Sequence, residues 1–289
     1  MLSALGENMS IKHPLSAPTE VGIIDLDRLN LKAELHATTD PSNPNELSNM
    51  LISAHAPYVK DGLRLNYAAK DTEHRVNAIS LLKGYISKLE IHPTIKQVNL
   101  HPPQKQWFDE TQTSGREGDY ELMIQAIREI AMFANKFKLE IVIENMNASF
   151  TRAENLGEEE IDWELMNTSF GDSPEEWIKI CEDVNLDNVF LCLDSSHTST
   201  YAHKFKDDKE RKERVMAFLK RSDLIRHVHW SDNYLYDNRG RKDSHLSVGK
   251  GTLPKNLHEQ IKRLDATILL EHFHGIAELE EELKYIDQL

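Results

Sequence analysis

Along most of the chain, short apolar runs of strand length alternate with longer segments whose apolar positions recur at helical spacing. The runs cover residues 31–35, 50–54, 98–100, 139–143, 189–193, 224–228 and 267–270. Within 119–138, Leu122, Ala126, Ile127, Ile130, Ala131, Ala134 and Phe137 form one stripe suited to packing on a sheet. Ser173, Pro174 and Glu176 offer an N-cap, a first-turn proline and a capping-box partner for a helix ending near Val184. Residues 72–89 and 210–220 are helical by period, and residues 1–30, interrupted by Pro14 and Pro18, admit a short first strand and a short first helix.

Repeated strand–helix units predict a mainly parallel sheet. His55, His101, Glu144, Asp194, His229 and Glu271 each end an apolar run on its C-terminal side, and in a closed (β/α)8 barrel those ends converge on one face. An open doubly wound sheet would spread them along a line, and the glycine-rich phosphate turn of a dinucleotide fold is absent. The expectation is an α/β protein with a single (β/α)8 TIM barrel spanning residues 1–289 and no linker to a second domain. Residues 145–174 interrupt the rhythm with a long acidic loop, β4–α4 when strands are counted from residue 31. It contains ENLGEEEIDWE at 154–164, which reads as a solvated acidic loop or a lid over the site.

Composition narrows the partners. Asp and Glu number 48 against 34 Lys and Arg, and a formal charge of -14 disfavours non-specific binding of phosphate backbones over the surface as a whole. Cys181 and Cys192 form no CxxC pair and lie in apolar elements, so they read as reduced core residues. No run reaches the ~20 apolar residues of a membrane span, and the N-terminus lacks the pattern of a secretory signal. The expectation is a cytoplasmic protein without a membrane partner, whose oligomeric state stays open.

The densest chemistry lies in residues 227–251, HVHWSDNYLYDNRGRKDSHLSVGKG, where His227 and His229 share one face of a strand and Asp243 and His245 repeat the spacing. Together with His55, His101, Glu144, Asp194, His197 and Glu271, the residues His229, Asp243 and His245 make nine metal-ligand candidates on one rim. Mixed imidazole and carboxylate suits zinc, manganese, iron or cobalt, and nine donors exceed what one ion can use, so two or three ions with bridging carboxylates are the sharper expectation within a range of one to three per chain. His227 reads as a neighbour behind the ligands, and Asp232 as a residue orienting a ligand or loop. Lys60, Arg64, Lys105, Arg152, Arg239, Arg241 and Lys242 lie on loops of the same face, where they contact phosphates or are simply solvated.

The motifs HAPY (55–58), LHPP (100–103), IENMN (143–147), CLDSSH (192–197), HWSDN (229–233), DSHLSVGKG (243–251) and LLEHF (269–273) resemble the xylose isomerase-like barrel superfamily. They look most like its endonuclease IV branch, the family 2 apurinic/apyrimidinic endonucleases. That resemblance implies three metal ions, usually zinc with manganese as an alternative, on the nine residues named above, with Glu144 bridging two of them. It also implies Tyr58 as a DNA-probing aromatic. Clustered ions neutralise the oxygens of a phosphodiester and activate water, the chemistry that incision at an abasic site in DNA needs. The chain departs from the branch in carrying Ser196 where cysteine is usual, and HATTDPSNPNE (36–46), without Lys or Arg, where a basic aromatic DNA loop stands. The branch's GAHVS-like first strand also has no counterpart in residues 1–30.

The superfamily's sugar and sugar-phosphate isomerases and epimerases are resembled at Glu144, Asp194, His229 and Glu271, which there hold one ion. Glu144 and Glu271 would then move a proton beside a polarised carbonyl, with His197 and an arginine such as Arg239 orienting hydroxyls or phosphate. Oxidative chemistry at iron and a non-catalytic binding protein are the remaining alternatives.

Overall fold

The computed structural model describes residues 9–12, 21–42, 48–107, 114–148, 168–272 and 275–289. Eight parallel strands close a barrel: β1 (Met9–Lys12), β2 (Lys32–Leu35), β3 (Leu51–His55), β4 (Gln97–Leu100), β5 (Glu140–Glu144), β6 (Val189–Asp194), β7 (Ile225–Trp230) and β8 (Thr267–Leu270). Each pairs with its neighbours in sequence, and β8 returns to β1 with Met9 opposite Ile268. The strand ending at Glu144 is therefore the fifth of the barrel, and the long acidic loop follows β5. Its residues 149–167, including 154–164, lie outside the described residues, as does Arg152.

Eight α-helices cover the barrel among the described residues: α1 (Ile23–Leu29), α2 (Thr72–Lys88), α3 (Tyr120–Asn135), α4 (Pro174–Val184), α5 (Ser195–Ala202), α6 (Asp208–Ala217), α7 (Lys255–Ile261) and α8 (Ile276–Gln288). They do not alternate strictly with the strands. Between β2 and β3 the described residues hold only a 3-10 turn, Ser48–Met50, whereas β6 is followed by both α5 and α6. The caps are where side-chain chemistry puts them: Asp71, Asp119 and Ser173 each accept a backbone N–H in the first turn of their helix. The expected capping box at α4 is only half made. Glu176 donates its N–H to Ser173, but its carboxylate accepts the N–H of Gly171 and the Lys105 ammonium instead.

Of the stripe on α3, Ala126, Ile127, Ile130, Ala131 and Ala134 are buried against the strands behind it, Leu122 and Phe137 are half-buried, and Met123 and Ile124 join the buried face. Apolar residues also fill the layer between the other helices and the sheet. Inside the barrel the chemistry is different. Parallel barrels commonly fill their interior with Val, Ile and Leu, but here Glu34, Ser53, Gln97, His227 and Thr267 bond to one another across it, and Asn99 joins Glu144 and His229. Buried polar groups are costly without partners, and these have them except for Asn99 Oδ1, which is buried without one. The polar column leads directly to the mouth.

Candidate metal centre

Strand alternation sets the mouth. Because side chains alternate across a strand, Glu144 at the end of β5, Asp194 at the end of β6 and His229 on β7 all point inward, and Glu271 follows β8 directly. Asp194 also caps α5, since its Oδ1 accepts the His197 N–H at 2.9 Å. This helix is not legible in the sequence, because SSHTSTYA has no apolar stripe, and all eight of its residues are buried. It is what brings His197 over the barrel.

The remaining candidates arrive from loops. His55 ends β3, His101 follows β4, and Asp243 and His245 descend from the 3-10 turn Asn238–Arg241. Asp243 is held by the Ser196 hydroxyl at 2.7 Å, His197 Nε2 at 3.1 Å and His245 Nε2 at 2.7 Å. Ser196 thus supports a ligand candidate from the position where the resembled branch carries cysteine. His245 takes a left-handed backbone with φ of 41°, a strained conformation for a side chain with a Cβ. Its Nδ1–H bonds to the carbonyl of Glu271 at 2.8 Å, which locks the turn to the end of β8.

All nine candidates converge. Their ligand atoms form three groups, each within 4.8 Å: His55, His101 and Glu144; Asp194, His197 and His245; and Glu144, Asp194, His229 and Glu271. Asp243 completes the second through its contacts to both imidazoles. Glu271 Oε2 lies 2.9 Å and Glu144 Oε2 3.5 Å from His229 Nδ1. His55 Nε2 and His101 Nε2 are 3.0 Å apart, with Glu144 Oε2 3.0 Å from the latter.

The imidazoles share a plan. His55, His197 and His245 donate Nδ1–H to the carbonyls of Ala56, Asn145 and Glu271 at 2.8, 2.7 and 2.8 Å, so each presents Nε2 to the centre. His229 is turned the other way, Nδ1 inward and Nε2 toward the barrel interior. Among the described residues, buried Asp194 Oδ2 has no hydrogen-bond partner, and His229 Nδ1 and His245 Nε2, although 2.9 Å from Glu271 and 2.7 Å from Asp243, lack hydrogen-bond geometry to them. Donor atoms of the right kind, aimed at shared points and otherwise unsatisfied, fit divalent cations.

Electrostatics divides the nine. Burial, reinforced by His101, lowers His55 to about 4, so it is neutral near pH 7. Burial also opposes the charged form of His245, but Asp243 and Glu271 outweigh it and raise the imidazole to about 10. Against the same opposition from burial, His197 is raised by Asp194 and Asp243, and His229 by the Cys192 thiol, Glu271 and Glu144. Asp194 is pushed by burial up to about 8. Glu144, although buried, is held well below the usual range by His101 and His229.

Other expected residues fall into clear places. Tyr58 stacks on His101 with ring centres 4.7 Å apart and forms one wall of the mouth. Asp232 organises the loop: it accepts N–H groups from Asn233, Gly249 and Leu253 at 2.8, 3.0 and 3.1 Å. This explains Gly251, since a Cβ there would lie 2.4 Å from Asp232 Oδ1 and from the carbonyl of Asn233. Arg239 forks onto Asp237 at 2.8 and 2.9 Å and stacks on Tyr234. Lys60 pairs with Asp61 and Lys105 with Glu176, Arg64 lies 4.2 Å over Trp107, Arg241 is buried, and Lys242 is exposed.

Three residues of the site escape a reading of the sequence. Asn99 donates its amide to Glu144; Asn145 brackets Asp194, accepting its N–H at 2.7 Å and donating to its carbonyl at 2.9 Å; and Glu34 lies inside the barrel beneath His229. The signal for Glu34 is a lone carboxylate within the apolar run 31–35.

The family model for the xylose isomerase-like TIM barrel matches residues 33–289. The chain belongs to that family. No curated protein matches the sequence itself. Among solved structures, a D-tagatose 3-epimerase-like protein is similar at 20% identity, with a TM-score of 0.65 over 97% of this chain and 98% of that one. D-psicose 3-epimerase in the presence of D-fructose gives 17% identity and a TM-score of 0.63 over 97% of each chain. The IolI protein with a bound zinc atom gives 12% and 0.62, over 97% of this chain and 96% of that one. At such identities the likeness is one of fold, in keeping with the xylose isomerase-like barrel of the family. No helix of the described residues is long and apolar enough to cross a membrane, and Cys181 and Cys192 are buried free thiols.

Proposed function

We propose that the chain is a divalent-metal-dependent isomerase or epimerase of a sugar or sugar phosphate, working at Glu144, Asp194, His229 and Glu271. The observation that carries this reading is the approach of two buried glutamates to one imidazole nitrogen, Glu271 at 2.9 Å and Glu144 at 3.5 Å from His229 Nδ1. A divalent cation held there, zinc or manganese by its donors, supplies the polarisation that makes a carbon beside a carbonyl acidic. Glu144 and Glu271 are then the groups that take and return the proton. Asn99 fixes one oxygen of Glu144, and the depressed pKa keeps that carboxylate ready to accept. His197, anchored through Nδ1, offers Nε2 to a substrate hydroxyl, and Tyr58 with His101 walls the opposite side. Arg239 would bind a phosphate by exchanging Asp237 for it. The sugar 3-epimerases that share the fold support a small polyhydroxylated substrate. So does the local neutralisation of Lys60, Lys105 and Arg239, which leaves little charge for a duplex.

A second reading, hydrolysis of a phosphodiester such as abasic-site DNA, is favoured by one observation: two further donor groups flank the tetrad, enough for two or three ions. One experiment separates the two. Metal-stripped protein reloaded with manganese or zinc is incubated in deuterated water with a panel of ketoses and sugar phosphates, and in parallel with an abasic-site duplex. Deuterium entering a substrate C–H without strand incision supports isomerisation; incision without exchange overturns it.

A further inference from the structure

We propose that Glu34 is a positioning residue that fixes how His229 meets its metal. The proposal rests on His229 being a ligand of the tetrad and not on which substrate is turned over.

His229 differs from His55, His197 and His245 in how its far nitrogen is anchored. His55, His197 and His245 each spend one N–H on a backbone carbonyl, which sets the tautomer and leaves the other nitrogen for a cation. His229 has no such carbonyl. Its Nε2 faces the Asn99 amide nitrogen at 3.4 Å and Glu34 Oε1 at 3.6 Å. The Asn99 amide donates to Glu144, so its nitrogen carries hydrogens and cannot receive another. Glu34 Oε1, just beyond hydrogen-bond length, is the acceptor left.

The rest of the barrel interior explains why that oxygen is left. Gln97 Nε2 donates to the Glu140 carboxylate at 3.0 Å and to the carbonyl of Arg226 at 3.1 Å, so its Oε1 must accept, and it takes the Thr267 hydroxyl at 2.6 Å. Having given its hydrogen, Thr267 accepts from His227 Nδ1–H at 2.6 Å. His227 Nε2 then shares a proton with Glu34 Oε2 at 2.9 Å, and the same oxygen accepts from Ser53 at 2.7 Å. Ser53 stands opposite Glu34 in the register of β2 and β3. From Gln97 to Glu34 the column has one assignment of donors and acceptors; at His229, Nε2 accepts the second Asn99 hydrogen or donates to Glu34 Oε1, and a cation on Nδ1, which leaves the ring proton on Nε2, selects the second. Its outcome is that Oε2 is engaged, Oε1 is turned up to His229 Nε2, and Nδ1 is freed for the centre. Whether the shared proton sits on Glu34 or on His227, Oε1 remains an acceptor.

Zinc, which is diamagnetic, is the probe. In the zinc-loaded wild-type protein, nitrogen-15 NMR of the histidine rings, assigned with His229→Gln, should show Nδ1 of His229 coordinated and Nε2 carrying a hydrogen-bonded proton; zinc on Nε2 overturns the proposal. This readout needs no substitution at Glu34 and survives any failure of a variant to fold. Zinc affinity, measured by competition with a chelator, should fall by about 10–100-fold in Glu34→Met, which removes the acceptor at similar length. It should return to within about fivefold in Glu34→Gln, whose amide oxygen can still accept. A folded Glu34→Met that binds zinc as tightly as wild type overturns the proposal. A wild-type protein whose zinc binding is unmoved by His229→Gln overturns the ligand reading itself, which is a different outcome.

Discussion

The two flanks of the centre are built from the same residue types and solve opposite problems. On one, His55 and His101 face each other beside Glu144, with His55 lowered to about 4 by burial and its neighbour imidazole. On the other, Asp243 sits between His197 and His245, and the latter is raised to about 10 as Asp243 and Glu271 outweigh burial. The neutral His55 imidazole, its Nε2 already aimed inward, can take a cation directly. Protonated imidazoles locked to carboxylates must first give up their protons. In the metal-free chain, then, protons on the second flank stand where a cation would stand, and the difference teaches that the donors are not equivalent sites. The tetrad between them shares Glu144 with one flank and Asp194 with the other.

The largest expected effect follows from that sharing. Glu144→Gln removes the charge common to the tetrad and the first flank, together with one of the two proton-transfer groups. Turnover in the deuterium-exchange assay should drop by about 10²–10⁴-fold; a variant within a few-fold of wild type would break the assignment of Glu144.

Next comes pH, where the flanks should part company. Below the folded pKa of about 10, His245 holds a proton that an ion must displace, so affinity for zinc should rise by about tenfold per pH unit for each proton lost. Calorimetry in buffers of different ionisation heat reads that release, and His245→Gln should abolish its share. The stability of the metal-free chain carries the same signature. His245 is raised above its unfolded value, so its contribution is full below about pH 6.5 and is lost as pH rises through about 10. His55 is lowered, so its contribution is present above about pH 6.5 and is lost as pH falls through about 4, on the order of 3 kcal/mol. Thermal melts should therefore lose their acid limb in His55→Gln and their alkaline limb in His245→Gln; identical limbs in both variants would erase the contrast.

The smallest effect is expected from His101→Ala. If the tetrad is the working centre, sugar turnover should fall less than about tenfold, since His101 supplies a wall and no transferred proton. A loss as large as that of Glu144→Gln would mean that the first flank holds a working ion.

Much of this architecture is legible in the sequence. Polar residues ending apolar runs announce a closed barrel and name its rim, and His55, Glu144 and Asp194 close their strands as read, while β7 runs one residue past His229 to Trp230. The less visible parts share a physical cause. Glu34, Ser53 and Asn99 face inward only because alternation along four- and five-residue strands puts them there, and one slip of register would turn them outward. Helix α5 is hidden for a related reason: its residues are mostly polar yet all buried, so no apolar stripe marks it. Asp232 reads as orienting a ligand or a loop, and its bonds to Gly249 and Leu253 settle on the loop.

The most direct measurement is a metal count on the purified protein after dialysis against a weak chelator. About one tightly held divalent ion per chain is predicted, lost in Asp194→Asn and retained in His101→Ala. Two or three ions held equally firmly, with His101→Ala removing one of them, would contradict a single working tetrad and hand the centre to multimetal hydrolysis.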